Sequence, residues 1–279
     1  MFTGKLSVVM PAYNESASIF KNVAEAVDTL SGFGYDYEII VVDDGSVDDT
    51  HSHAVQIAAK YGSKVRVVRY DDNRGKGGAL ICGTTYTTGD YVAFLDADMD
   101  LHPEQLPLFL EILVAREADV VVGSKRHPLS NVQYPMIRRL YSAGYSALVW
   151  VLFGLPLRDT QTGLKLFRRC VLQDVFPRVL VKRFAFDIEV LANAHRLGYK
   201  IVDAPVTLRF MRQYGRITLG DIWTILLDTL AIFYRLRLRH YYDRVPSCSL
   251  SALRGRLPAH ELTPELNTTT EKHHATAAP

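Results

Sequence analysis

Cysteine is scarce in this chain. Cys82, Cys170 and Cys248 are odd in number and far apart, with no Cys-x-x-Cys pair and no Cys/His spacing of a zinc site. A disulfide framework is thereby excluded and a reducing compartment is expected. Net charge is nearly absent too: 32 basic residues offset 30 acidic ones to leave +2, so no global field points to nucleic acid as a partner. The apolar run LSVVM begins almost at once, with no basic region before it and no cleavage site after it, which does not fit a signal peptide. No stretch reaches the roughly 18 uninterrupted apolar residues of a spanning helix. The nearest are Tyr145 to Leu157, which contains Gly154 and Pro156, and Ile222 to Tyr234, which contains Asp228. A spanning helix is not expected; a peripheral membrane protein is compatible with these runs.

What is present is a long alternation. At 48% hydrophobic over 279 residues the chain is large enough for one sizeable core. Leu6 to Met10, Glu38 to Val42, Lys64 to Tyr70, Asp90 to Leu95 and Asp119 to Val122 read as strands whose continuous apolar character means burial on both faces. Ile19, Val23, Val27 and Leu30 share one helical face between the first two. Ser46-Val47-Asp48-Asp49 has the form of a capping box at a second helix, a third follows Gly75, and Glu104 to Glu117 is another. This is an α/β layer architecture, Rossmann-like. Beyond residue 125 the rhythm changes to helices near Ile137 to Leu152 and Ala185 to Arg196, strands at Leu164 to Phe167 and Lys200 to Leu208, and one long helix from Thr218 to Tyr242. From Pro246 the chain is aperiodic and is expected to be disordered.

Charged residues gather where strands end, the place where open α/β sheets bind ligands. Phe94-Leu95 runs into Asp96-Ala97-Asp98-Met99-Asp100, alternating carboxylates that suit a hard divalent ion holding a diphosphate, or else form a solvated acidic turn. Val41-Val42 runs into Asp43-Asp44-Gly45-Ser46, able to accept hydrogen bonds from a base or ribose or to cap the next helix. Pro11-Ala12-Tyr13-Asn14-Glu15 offers a stacking ring and acceptors, and is also an ordinary strand-to-helix turn. Asn73-Arg74-Gly75-Lys76-Gly77-Gly78 presents amides and one cation to anions, yet is neither a Walker A loop nor a dinucleotide fingerprint.

In combination these motifs resemble family 2 glycosyltransferases. PAYNE, VVDDGS, NRGKGGAL and DADMDLHPEQ stand in that family's order, and GSKRHPLS, RRLYSAGY, LRDTQTGLKLF and FAFDIEVLANAHRLGYKI extend the likeness over residues 5 to 217. The narrower pattern is similar to dolichyl-phosphate glucose and mannose synthases, closer to the glucose type. The resemblance implies a GT-A fold with a mixed sheet, divided into a nucleotide-sugar half (1–124) and an acceptor half (125–217); beyond it the residues themselves read as an amphipathic interfacial helix (218–245) and a tail (246–279). It implies inverting hexose transfer from UDP-glucose or GDP-mannose to a polyprenyl phosphate, with Mg²⁺ or Mn²⁺. The implied donor site is Pro11, Tyr13, Glu15, Val42, Asp44, Lys76, Asp96, Ala97, Asp98, Arg126 and Arg212, with Asp96, Asp98 and Asp100 on the metal. Arg138, Arg139 and Ser142 would meet the acceptor phosphate, for which arginine forks are suited. Asp98, Arg126, Arg139 and Asp187 would carry the chemistry, Asp187 either as a base or as organiser of Lys182, Arg183 or the metal site.

The helix after residue 218 offers Ile222, Ile225, Leu226, Leu230 and Phe233 on one face and Arg235, Arg237, Arg239, His240 and Arg244 at its end. That pattern suits the cytoplasmic face of a membrane, or a homodimer or membrane-protein contact. A polysaccharide or protein acceptor and a non-catalytic scaffold are the rival readings.

Overall fold

The computed structural model describes residues 4–132, 136–181, 185–209, 219–254 and 259–262. In chain order the elements are β1 (Lys5–Ala12), α1 (Ile19–Ser31), β2 (Asp36–Asp44), α2 (Thr50–Tyr61), β3 (Val65–Tyr70), α3 (Lys76–Thr84), β4 (Tyr91–Phe94), α4 (Leu106–Ala115) and β5 (Val120–Ser124). There follow α5 (Met136–Phe153), β6 (Lys165–Arg168), α6 (Arg169–Val175), α7 (Phe186–Arg196), β7 (Ile201–Pro205), α8 (Leu219–Phe233), α9 (Leu250–Arg254) and β8 (His260–Leu262).

One eight-stranded sheet runs in the order β7-β5-β6-β4-β1-β2-β3-β8. β4, β1, β2 and β3 are mutually parallel, while β6 lies antiparallel between β4 and β5. The sheet is therefore mixed. Along the inner strands side chains alternate between two cores: Val9, Ile40, Val42 and Val68 face one, and Val8, Met10, Ile39, Val41 and Val67 the other. Both faces are apolar because helices cover both, which is why these strands read as unbroken hydrophobic runs.

Register places the chemistry. Pro11 pairs with Val42, Ala12 with Asp43 and Asp44 with Tyr70, so the carboxyl ends of β1, β2 and β3 finish together. β4 ends beside them at Phe94. Because β6 runs the other way, its first residue, Lys165, pairs with Phe94 and brings the preceding Thr162-Gly163 turn to the same edge.

Three local expectations are corrected. Ser46 does not cap α2: its hydroxyl accepts from the Asn14 amide at 3.0 Å, and it is Asp48 whose carboxylate accepts from the Thr50 amide at the helix start, also at 3.0 Å. The long C-terminal helix stops at Phe233, passes through a π-turn at Tyr234–Leu238 and breaks at His240, whose φ of 49° is left-handed. The segment after Pro246 holds structure at least to Leu262. Leu250 and Leu253 are buried, the Arg254 guanidinium sits 3.4 Å over the Tyr86 ring, and β8 pairs antiparallel with β3. Covering an otherwise open sheet edge is what organises a sequence with no periodicity of its own.

Candidate active site

The turn after β1 is stapled to the turn after β2. The Ser46 hydroxyl accepts from Asn14, Asn14 Oδ1 accepts from the Val47 amide, Thr50 Oγ1 accepts from the Glu15 amide, and Asp48 accepts from the Ser16 amide. Asn14 takes φ 53° to make this possible, a conformation asparagine tolerates better than most residues. Side chains that looked like helix caps in the sequence thus build one wall of a site. Gly45 completes it: at φ +69°, a Cβ there would lie 2.7 Å from the Asp71 carbonyl oxygen.

Asp43 and Asp44 divide. Asp43 points into the scaffold, accepting from the Ser46 amide at 3.0 Å and lying 3.3 Å from Arg69 and 3.4 Å from His51. Asp44 faces the site, with Oδ1 accepting from the Tyr70 hydroxyl at 2.6 Å and the Arg74 amide at 2.8 Å. Burial raises the Asp44 pKa above its ordinary value in spite of those bonds.

The acidic turn closes the other wall. Met99 adopts φ 60°, Asn22 Nδ2 donates to the Ala97 carbonyl at 2.7 Å, and the Arg209 amide donates to the Asp100 carbonyl at 2.8 Å. Lys76, at the start of α3, forms an ion pair with Asp96. Burial opposes the Asp96 charge, but Lys76 outweighs it and holds this carboxyl below its ordinary pKa. Among the described residues Asp98 forms no such ion pair: burial, and then the charges of Asp96 and Asp100, push it up to about 6.

Between these walls lies a cavity of about 300 Å³ lined by Pro11, Ala12, Tyr13, Glu15, Asp44, Lys76, Asp96, Ala97 and Asp98. The structure thus gathers most of the expected donor residues. Val42 is a correction: it is fully buried in the core beside Val9 and Ala79, one residue too early on β2 to reach the cavity. Arg126 is exposed, donates to the Arg158 carbonyl at 3.4 Å and does not line the cavity. Arg138, Arg139 and Ser142 fall in the first turns of α5, where only the backbone is described, and Arg212, Lys182 and Arg183 lie outside the described residues.

The donor set fits a divalent ion of the open kind. Among the described residues no three His, Cys, Asp or Glu side chains form a ready cage, and Asp96 is paired with Lys76. The Lys76 charge does not offset what burial and its acidic neighbours do to Asp98, and Asp100 Oδ1 is buried without a hydrogen-bond partner. Mg²⁺-like ions take one or two carboxylates and leave their other positions to water and phosphate.

Sequence reasoning missed the residues that hold this arrangement from behind. Asp159 accepts from Thr162 Oγ1 at 2.7 Å and from the Gln161 and Lys125 amides, knotting the DTQTG turn. That knot presses Gly163 against Asp96, where a Cβ would meet Oδ2 at 2.0 Å. Lys165, 1% exposed, donates to the Thr162 carbonyl at 2.5 Å and to Asp187 Oδ1 at 2.8 Å. A lysine inside an apolar strand was the available signal, since lysine is almost never fully buried unpaired. Asp187 therefore stands in an ion pair, poorly placed to serve as a base. Its neighbour Glu189 accepts from the Leu180 and Val181 amides and from Tyr242, tying α7 to the chain beyond α8.

Residues 7–176 match the family described as Glycosyl transferase family 2. The chain belongs to that family. Within family 2, the dolichyl-phosphate beta-glucosyltransferase of Homo sapiens is 36% identical over 84% of this chain and 76% of the relative. The enzyme of that name from Saccharomyces cerevisiae is 31% identical over 72% of this chain and 66% of the relative. The chain thus spans about two thirds of the yeast relative's length. Glucosyl-3-phosphoglycerate synthase from Mycobacterium tuberculosis, crystallised with Mn²⁺, UDP-glucose and phosphoglyceric acid, superposes with a TM-score of 0.59 at 23% identity, over 87% of this chain and 81% of that one. The shared architecture is the GT-A fold.

Proposed function

We propose that this chain transfers glucose from UDP-glucose to a polyprenyl phosphate of the dolichyl type, with inversion, at the cytoplasmic face of a membrane. The observation that carries this is the union of a carboxylate-rich cavity at the strand ends with likeness to enzymes named dolichyl-phosphate beta-glucosyltransferase.

Tyr13, nearly half exposed at the rim, offers a stacking face to the base, and Asp44 accepts from base or ribose hydroxyls. Lys76 lies where a diphosphate or sugar oxygen would enter, and Asp98 and Asp100, with the free edge of Asp96, would hold the ion. When bound, Mg²⁺ or Mn²⁺ neutralises charge developing on the departing nucleotide.

The acceptor needs no base. A phosphomonoester has a second pKa of about 6 and is largely dianionic at neutral pH. One of its oxygens forms the bond to C1 of the sugar while the bond from C1 to the nucleotide oxygen breaks, its electron pair leaving with UDP. No proton moves. Catalysis then rests on positioning and electrostatics, with Arg126 at the donor sugar, Arg138 and Arg139 holding the acceptor phosphate, and Ser142 beside them. An ion-paired Asp187 is consistent with base-free chemistry, and its role becomes the orientation of Lys165 at the back of the site.

The test is transfer of radiolabel from UDP-glucose, and separately GDP-mannose, to a short polyprenyl phosphate with Mg²⁺ or Mn²⁺. Metal-dependent label in the lipid phase from UDP-glucose is expected. Label from GDP-mannose alone would reassign the sugar. Transfer to a carbohydrate and not to the lipid phosphate would overturn the acceptor.

A further inference from the structure

The residues that line the strand-end cavity all precede Met99, and none belongs to α9 or β8. One wall of it nevertheless hangs on a short stretch that the C-terminal segment grips. Tyr70, the last residue of β3, donates to Asp44 Oδ1 at 2.6 Å, and the Arg74 amide donates to the same oxygen at 2.8 Å. Asn73 Nδ2 donates to the Asp44 carbonyl at 3.2 Å, and Lys76 follows as the first residue of α3. Residues 70–76 therefore decide where the Asp44 carboxylate and the Lys76 ammonium stand. A loop this short is only as fixed as its flanks, here β3 before it and α3 after it.

Both flanks are held from outside. β8 pairs antiparallel with β3 at Val67, Val68 and Arg69, stopping one residue short of Tyr70. Without that partner β3 would be the outermost strand, with one row of its backbone groups open. At the far end of α3, Arg254 of α9 lies 3.4 Å over the ring of Tyr86, two residues past the helix. The Tyr86 hydroxyl donates to the Ala259 carbonyl at 3.4 Å, just before β8. Leu250 and Leu253 are buried in the same core as Val68, Tyr70, Leu80 and Tyr86. Tyr86 is 6% exposed, so the stack is largely out of water, where a guanidinium over a ring is worth most. Cys82 of α3 registers both arginines: burial raises its thiol to about 11 against the pull of Arg74 and Arg254.

We infer that α9 and β8 clamp the β3–α3 unit, and that Arg254 is a positioning residue for the donor: by seating this segment it fixes Tyr70, and through Tyr70 the Asp44 carboxylate that meets the nucleoside. The inference deepens the reading of the cavity as a nucleotide-sugar site and rests on it. Asp44 has much to lose from a loosened flank. Burial works against its charge, and the Tyr70 hydroxyl leads the groups that work for it. The clamp grips elements that end at the nucleoside edge of the cavity. Loosening it should therefore appear in donor binding rather than in turnover at saturating donor.

Arg254→Ala in the full chain should raise the Kd for UDP, by calorimetry, and the KM for UDP-glucose about tenfold. The kcat at saturating donor and the KM for the lipid phosphate should stay within about twofold of wild type. A double-mutant cycle tests the route: once Tyr70→Phe has removed the hydroxyl, Arg254→Ala should cost less than about twofold more. A full further tenfold loss there overturns the inference, as does unchanged UDP affinity in Arg254→Ala. Loss of kcat in step with thermal stability also overturns it, since that marks a general stabiliser. If Arg254→Ala does not fold, wild type answers by reciprocity. Saturating UDP should slow amide hydrogen exchange across Leu250–Arg254 and His260–Leu262, which do not line the cavity. Protection confined to the cavity overturns the clamp while leaving the donor reading intact. Wild type that binds no UDP overturns the donor reading and the clamp with it.

Discussion

The strand-end cavity and the α5/α8 helix pair handle their unpaired groups in opposite ways. In the donor half, side chains at the strand ends are cross-bonded: Ser46 to Asn14, Thr50 to Glu15, Tyr70 to Asp44, Lys76 to Asp96. What is left over is compact negative charge at Asp98. By contrast, α5 and α8 pack on each other and leave apolar side chains exposed. A water-soluble nucleotide-sugar calls for a pre-formed polar cavity, since an organised site need not rearrange to bind. On the function proposed above the acceptor is a lipid presented by its own solvent, a phase that outward apolar surface suits.

The contrast is broken most severely at Asp98. Asp98→Asn removes the charge that calls for a cation, and transfer should fall on the order of 10³-fold, with Mn²⁺ binding by paramagnetic resonance lost in parallel. Retained Mn²⁺ affinity would relocate the metal. Gly163→Ala tests whether the DTQTG knot sets the donor geometry. Its Cβ would displace Asp96, and a shift of about 1 Å costs about 100-fold in kcat/KM with circular dichroism unchanged.

A smaller effect separates charge from packing at the back of the site. Lys165→Met leaves Asp187 buried without its partner and should cost about 3 kcal/mol in denaturant unfolding, much of which Lys165→Met with Asp187→Leu should restore. Equal destabilisation in the single and double variants would mean the pair matters through shape alone.

The gentlest test is pH. Asp98 titrates near 6, above the 3.8 of a free aspartate, so the folded, metal-free protein binds this proton more tightly than the unfolded chain. Folded stability from this group is gained as pH falls from about 6 towards 4, and lost as pH rises through about 6. The Tm of metal-free protein should therefore rise modestly on moving from about pH 7 to about pH 5, relative to Asp98→Asn. Mn²⁺ affinity should move the other way, falling about tenfold per unit below about pH 6 as the proton competes.

Most of the donor side was legible residue by residue. A strand buried on both faces must end where its apolar run ends, so Phe94-Leu95 followed by alternating aspartates announces a site at that edge. Val42 entered only through the family resemblance, and its side chain is buried in the core on the opposite face of the sheet from Val41. Gly163, Asn22 and Lys165 stayed hidden because each acts on a residue distant in sequence: Gly163 on Asp96, Asn22 on Ala97, Lys165 on Asp187. The C-terminal strand was missed for a related reason, since β8 has no pattern of its own and exists as the partner of the β3 edge.

The sequence by itself determined the strands up to β7, the order of the motifs and the family, because periodicity and local charge are properties of neighbours along the chain. Tertiary structure alone decided which aspartate is paired and which is left seeking a cation, since Lys76 reaches Asp96 and not Asp98 only once α3 is seated on the sheet. It likewise decided which side of α8 is spent on α5 and which remains outward, a choice that a helix with apolar residues on more than one side leaves open until its partner packs against it.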